Sequence, residues 1–254
     1  MTIKIDRIKK VNCNNPTLIE GLPGMGNVGK ISVDFIIESL DAVKIYEITS
    51  SGFPNCVFVD EKGLTNLPKI EVYYKKIKNN DFLFVSGDIQ PVDEHSSYEL
   101  CETIVDLFKK HNGKEIITLG GIGLGNIPKK SKLFYAVNDA KLLVKYDKDG
   151  LKKAAGVVGP IIGVSGLLLG IAKQHKIPAT ILLVETFGHP TYLGIKESRE
   201  MLDYLNKKLK LNINIRELDK EIKNIQKEVK NNVEKLNILK KEKEKNIESV
   251  NYIG

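Results

Sequence analysis

The sequence predicts an α/β domain in which a mostly parallel sheet is flanked by helices, followed by a long C-terminal helix. Short apolar runs alternate with segments of helical periodicity over the first 212 residues, and the connections between them are short. The chain has 254 residues, of which 42% are hydrophobic and 28% charged, so it can bury a sizeable core. These values exclude a small disulfide scaffold and a wholly disordered chain.

The individual elements follow from these patterns. Apolar runs bounded by turn residues predict strands at residues 17–21, 43–49, 55–59, 69–76, 82–86, 115–119 and 179–185. Helical periodicity predicts helices at 27–40, 95–111, 164–174 and 195–209. Residues 132–146 fit either type. Because strands and helices alternate, we expect the strands to run largely parallel.

The last forty residues have a different pattern, so we divide the chain into a core domain (1–212), a C-terminal helix (213–249) and a tail (250–254). From residue 215 the helix carries apolar residues at heptad spacing. These are Ile215, Leu218, Ile222, Ile225, Val229, Leu236 and Leu239, with Asn232 at the remaining d position. The narrow stripe predicts either a coiled coil between chains or a helix packed back on its own domain.

Charge and cysteine content exclude several classes of function. The net charge of +7 is spread along the chain, and only three residues are Arg, so we expect no nucleic-acid partner. Cys13, Cys56 and Cys101 have no CxxC spacing and the N-terminus has no secretion signal, which favours a reducing cytoplasm. The uncharged run 154–172 contains five glycines and a proline, so we interpret it as a buried turn and helix rather than a membrane span.

The candidate ligand loop lies between the first predicted strand and helix. It consists of Gly24, Gly26, Asn27, Gly29 and Lys30, which fit both GxGxxG and GxxxxGK. Such glycines let backbone N–H groups approach a phosphate or dinucleotide, but they are also typical of a tight turn with close helix packing. A P-loop needs Ser or Thr after the lysine, where this chain has Ile31. A dinucleotide site needs an acid about 20 residues further on, and Glu47 is available.

Two further glycine-rich segments, 120–126 and 156–166, also follow strands or precede helices and could line one edge of the sheet. Acidic and histidine residues near strand ends are candidates for acid–base chemistry, but each also has an ordinary structural role in a loop or helix cap. These are Asp88, Asp93, His95, Glu185 and His189. The four histidines show no metal-ligand spacing, so we predict no metal site. No residue is evident as an activated catalytic group, and we also predict no catalytic residue and no cofactor.

Five segments in this order resemble the proteasome assembly chaperone family, chiefly its archaeal members. They are residues 21–30, 86–91, 120–126, 159–166 and 185–186, and the resemblance spans residues 10 to about 240. It implies an α/β fold like that of the purine nucleoside phosphorylases and a homo-oligomer that uses no nucleotide. It also implies a partner, the α subunits of the proteasome core particle.

Some archaeal members of the family dock through a C-terminal hydrophobic–tyrosine–any tripeptide. Here the sequence ends in Val250, Asn251, Tyr252, Ile253 and Gly254, so the tyrosine is third from the end rather than penultimate. We expect Val250, Tyr252, Ile253 and Gly254 to contact the partner. The resulting hypothesis is a non-enzymatic, ATP-independent chaperone or activator. The alternative is an enzyme, phosphorylase-like or a ligase, with a phosphate- or nucleotide-binding pocket at the glycine loop.

Overall fold

The computed structural model describes residues 3–216 together with Leu218 and Asp219. The chain divides into two compact units, Met1–Ile213 and Asn214–Gly254. Nearly all of the predicted C-terminal helix, and the whole of the predicted tail, lie outside the described residues. The fold described below is that of the first unit.

The first unit is built on a nine-stranded sheet. The strands along the chain are β1 (Ile3–Arg7), β2 (Thr17–Glu20), β3 (Val43–Ser50), β4 (Phe58–Val59), β5 (Thr65–Asn66), β6 (Ile70–Ile77), β7 (Asn80–Gly87), β8 (Glu115–Leu124), β9 (Leu133–Val137), β10 (Lys152–Lys153) and β11 (Ala179–Phe187). The large sheet has the order β1-β3-β6-β7-β2-β8-β11-β9-β10, and β4 pairs with β5 in a separate hairpin.

Five helices accompany the sheet: α1 (Val28–Ser39), α2 (Glu94–Lys110), α3 (Leu143–Asp147), α4 (Val164–Gln174) and α5 (Ile195–Leu209). Helix α2 packs on α4, and α1 packs on α5. These two helix pairs cover opposite faces of the sheet. Successive side chains of a strand point to opposite faces, so neighbouring residues of one strand contact different helix pairs. Leu18 of β2 belongs to the core cluster that contains α2 and α4, whereas its neighbour Ile19 is equally buried outside that cluster.

The sheet is parallel in its centre and has antiparallel pairs on both sides, since β9 also pairs antiparallel with β11. The four central strands β7, β2, β8 and β11 pair in parallel, in agreement with the prediction from alternating strands and helices. Strands β1, β3, β6 and β7 pair antiparallel. For β6 and β7 the reason is the short connection between them. The chain turns from β6 into β7 at Lys78, whose φ is 55°, and so tight a turn cannot make a parallel crossover.

The other differences from the predicted elements are local. Residues 55–59 form only the two-residue strand β4, outside the main sheet. Strand β1, which lies at an edge of the sheet, is absent from the sequence prediction. The ambiguous residues 132–146 divide into β9 and α3, and 164–174 and 195–209 are the helices α4 and α5, as predicted. Within the described part of the chain, no helix is long and apolar enough to cross a membrane.

Candidate functional site

A cavity of about 300 Å³ lies at the carboxyl edge of the central parallel strands. All three glycine-rich segments singled out in the sequence contribute to its walls, together with apolar side chains. The lining residues are Leu22, Gly24, Met25, Gly29, Gln90, Leu119, Gly120, Gly121, Ile122, Gly123, Val158, Pro160, Ile161, Ile162, Ser165, Ile181 and Leu183. This is the edge at which open α/β sheets bind ligands.

The first glycine segment forms a tight turn that presses α1 against the sheet. Gly26 and Asn27 adopt left-handed backbone conformations, with φ of 61° and 52°. A Cβ at Gly29 would lie 2.5 Å from the carbonyl oxygen of Leu119, and one at Gly26 would lie 2.6 Å from Oγ1 of Thr186. Close packing of helix and strand therefore accounts for these two glycines. Of the predicted ligand loop, Gly24 and Gly29 line the cavity.

The second glycine segment is not a loop, contrary to the sequence interpretation, because β8 continues through it to Leu124. Strand β11 pairs with β8 along this whole length, up to Phe187. Glycine is needed because the turn after β2 lies directly on this part of the strand: a Cβ at Gly121 would be 2.4 Å from the carbonyl oxygen of Met25. The extension of β8 past the end of β2 leaves room for the cavity.

The third glycine segment contains Gly163, whose φ of 101° directs the chain into α4. Gln90, in the loop after β7, joins this segment to the first one. Its Oε1 accepts a hydrogen bond from the Val164 amide at 2.9 Å, and its Nε2 donates one to the Pro23 carbonyl. The three segments are thus one connected structure around the cavity.

Glu20, at the end of β2, is completely buried beside the cavity wall. Its Oε1 accepts hydrogen bonds from the amide of Leu22 at 3.1 Å and from the hydroxyl of Ser165 at 3.2 Å. Its Oε2 is buried without a hydrogen-bond partner. Burial raises the pKa of the Glu20 carboxyl to about 7, although both hydrogen bonds act to lower it. Glu20 is absent from the sequence predictions; the available signal was an acidic residue directly after the apolar pair Leu18 and Ile19.

A family model described as the PAC2 family matches residues 18–233. The chain belongs to the PAC2 family. The predicted resemblance to proteasome assembly chaperones is confirmed by the solved structures to which this PAC2 chain is similar. Pyrococcus furiosus PbaB, an archaeal proteasome activator, superimposes with a TM-score of 0.83 at 30% identity, covering 91% of this chain and 98% of PbaB. Pyrococcus furiosus PbaA, an archaeal homolog of proteasome-assembly chaperone, gives a TM-score of 0.81 at 26% identity, covering 98% and 99%.

Curated relatives of this PAC2 chain include two from Methanocaldococcus jannaschii. The uncharacterized protein MJ0106 is 32% identical over 227 residues, covering 87% of each chain. The uncharacterized protein MJ1210 is 29% identical over 213 residues, covering 84% of this chain and 81% of the relative. The similarity therefore extends over nearly the whole of the domain described here.

Lys30 of the PAC2 chain, the lysine of the predicted ligand loop, does not line the cavity. Its Nζ pairs with Oδ2 of Asp34 at 2.8 Å, one turn along α1, and the hydroxyl of Ser86 donates to the other oxygen of that carboxylate. Lys30 and Asp34 face a separate groove, which Glu71 and Asp88 also line. The structure therefore separates Lys30 from the glycines with which it forms the GxxxxGK pattern.

Four of the five acid–base candidates make structural contacts. Asp93 caps α2 by accepting a hydrogen bond from the Ser96 amide at 2.9 Å, which lowers the pKa of its carboxyl. Asp88 accepts from the amide of Lys69 at 3.3 Å, and Glu185 from the amide of Lys132 at 3.1 Å. His189 pairs with the hydroxyl of Thr191 at 2.9 Å. Among the described residues, no group of three or more His, Cys, Asp or Glu side chains could hold a metal ion.

Proposed function

We propose that this chain is a non-enzymatic, ATP-independent proteasome assembly chaperone or activator that acts in the cytoplasm. Its partner in this proposal is the ring of α subunits of an archaeal proteasome core particle. The observation that carries the proposal is the similarity to PbaB, an archaeal proteasome activator, at 30% identity over 91% of this chain. Similarity to PbaA over 98% of the chain supports the same class of partner.

The structural roles of the candidate acid–base residues support a binding protein rather than an enzyme. Asp88 accepts a hydrogen bond from the backbone amide of Lys69, just before β6, and Asp93 accepts one from the amide of Ser96 in α2. Lys30 is engaged with Asp34 on its own helix. A protein whose task is to bind a partner needs a rigid framework of this kind and no activated nucleophile. The proposal also includes an α/β fold like that of the purine nucleoside phosphorylases and a long C-terminal helix.

The proposed contact with the α ring is the segment 250–254. Tyr252 and Ile253 offer apolar area, and Gly254 adds little bulk behind them. The preceding residues 213–249 are rich in Lys and Glu, which suits a helix that projects its end into a groove between subunits.

The proposed protein is also a homo-oligomer, and the hairpin of β4 and β5 is a candidate contact. Five large apolar side chains in residues 57–67 are exposed: Val57, Phe58, Val59, Leu64 and Leu67. So many exposed apolar residues on one short segment are typical of a protein–protein contact. A Val59→Asp substitution should lower the oligomer mass measured by light scattering, whereas Lys62→Ala in the same hairpin should not.

Binding to purified archaeal core particle tests the main proposal. We expect the full chain to bind and a chain ending at Ser249 to lose binding, with Tyr252→Ala reproducing the loss and Asn251→Ala as the matched control. Binding by both the full and the shortened chain would place the interface on the α/β domain instead of the tail. Absence of binding by the full chain at micromolar concentrations would refute the proposed partner.

A further inference from the structure

We propose that the cavity beside Ser165 binds a small organic molecule that has an apolar body and a cationic hydrogen-bond donor, such as a primary ammonium group. This activity goes beyond binding to a proteasome and does not depend on it. The cavity volume of about 300 Å³ is at the lower end of the range of about 300–1,000 Å³ that holds small-molecule ligands.

The walls of the cavity favour an apolar body. Among the lining residues of the described domain, Gln90 and Ser165 are the polar side chains, and the rest are glycines, a proline and apolar residues. The amide of Gln90 is engaged at both ends, by the Val164 amide and the Pro23 carbonyl. Ser165 is therefore the polar lining side chain that contacts the buried carboxylate of Glu20.

Ser165 can accept a hydrogen bond from a ligand but has no proton to donate to one. A hydroxyl carries a single proton, and the two groups within reach of Ser165 Oγ, Oε1 of Glu20 at 3.2 Å and the Leu119 carbonyl oxygen at 3.4 Å, both accept hydrogen bonds. The lone pairs of Ser165 remain for the ligand. The geometry therefore selects a hydrogen-bond donor over an acceptor.

Glu20 adds a preference for positive charge. It is completely buried behind Ser165, its Oε2 has no hydrogen-bond partner, and none of the described residues that line the cavity is cationic. A buried carboxylate without a counter-ion is costly, which is consistent with the raised pKa of this group. An ammonium group at Ser165 would supply the missing charge, whereas a phosphate would add a second negative charge.

The test uses the full chain and three probes of similar size: benzylamine, benzyl alcohol and benzoate. Binding is measured by calorimetry and by ligand-observed NMR at pH 8. We expect benzylamine to bind at least about tenfold more tightly than benzoate, because a hydrogen bond from a charged donor is stronger than one between neutral groups. Benzyl alcohol should bind with intermediate affinity. Equal or tighter binding of benzoate, tight binding of inorganic phosphate, or no binding of benzylamine overturns the proposal.

Substitutions at Glu20 and Ser165 test whether benzylamine binds in this cavity. Glu20→Gln should weaken benzylamine at least about tenfold while leaving benzyl alcohol within about threefold. Glu197→Gln is the matched control, because Glu197 is equally buried but both of its oxygens accept from the hydroxyl of Tyr192. Thermal unfolding confirms that each variant is folded, and Ser165→Ala gives a second loss of benzylamine affinity if Glu20→Gln does not fold. Unchanged benzylamine binding in folded Glu20→Gln refutes the site.

Discussion

Gln90 and Val164 are 74 positions apart in the sequence, yet the side-chain oxygen of Gln90 accepts a hydrogen bond from the Val164 amide at 2.9 Å. That amide is at the first residue of α4, where N–H groups have no partner within the helix. The other end of the same side chain donates to the Pro23 carbonyl. One glutamine therefore holds together the loops that follow β2 and β7 and the start of α4.

Replacing Gln90 should loosen this arrangement. We expect Gln90→Ala to lower the free energy of unfolding by about 1–3 kcal/mol, because it leaves a partly buried amide and a carbonyl unpaired. Gln174→Ala, at the exposed end of α4, should change stability by less than about 0.5 kcal/mol and is the matched control. Urea denaturation measures both. Equal effects of the two substitutions would show that the Gln90 hydrogen bonds contribute nothing specific.

Two helical glycines should respond in opposite directions to replacement by alanine. Gly29→Ala would place a Cβ 2.5 Å from the Leu119 carbonyl oxygen, and moving that backbone should cost about 1–3 kcal/mol. Gly170→Ala, in α4, meets no atom within 4 Å and should stabilise the protein by up to about 1 kcal/mol. Thermal melting distinguishes the signs. A stable Gly29→Ala variant would mean that α1 does not press on β8 as described.

The elements with long and regular patterns were predictable from sequence. Helices α4 and α5 and the central parallel strands follow directly from apolar periodicity, because each buries one or both faces over several residues. Local patterns could not give the antiparallel strands, since pairing depends on connection geometry. The short turn at Lys78 decides that β6 and β7 are antiparallel, and a positively charged residue in that turn carries no clear signal.

The candidate site was predictable only in outline. The glycine segments did indicate the edge of the sheet where the cavity lies, but not that 120–124 continues a strand. The sequence pattern placed Lys30 with the loop glycines, whereas its side chain follows α1 toward Asp34. Glu20 was missed because its significance comes from burial and from Ser165, which is 145 positions away in the chain. Contacts over such distances in sequence are not readable from one chain alone.

Glu20 should make stability depend on pH. Its pKa is raised from 4.5 to about 7 in the folded chain, so the folded chain holds this proton more tightly than the unfolded chain does. The stability that this group contributes is therefore present at low pH and is lost as pH rises through about 7. Relative to Glu20→Gln, the wild type should lose about 2–3 kcal/mol between pH 5 and pH 8. Urea denaturation of both proteins at several pH values measures this difference, and a pH-independent difference would contradict it.

Lys30→Ala separates the binding-protein proposal from the enzyme alternative. Because Lys30 is paired with Asp34 on its own helix and does not line the cavity, we expect its loss to cost at most about 0.5 kcal/mol and to leave core-particle binding unchanged. A phosphate loop predicts the opposite pattern: the wild type would bind inorganic phosphate and Lys30→Ala would not. Calorimetry with phosphate and a pull-down with core particle test both expectations, with the exposed Lys62→Ala as control. Loss of phosphate binding specific to Lys30→Ala would favour the enzyme alternative. Lys30 would then have to leave its ion pair with Asp34 to reach the phosphate.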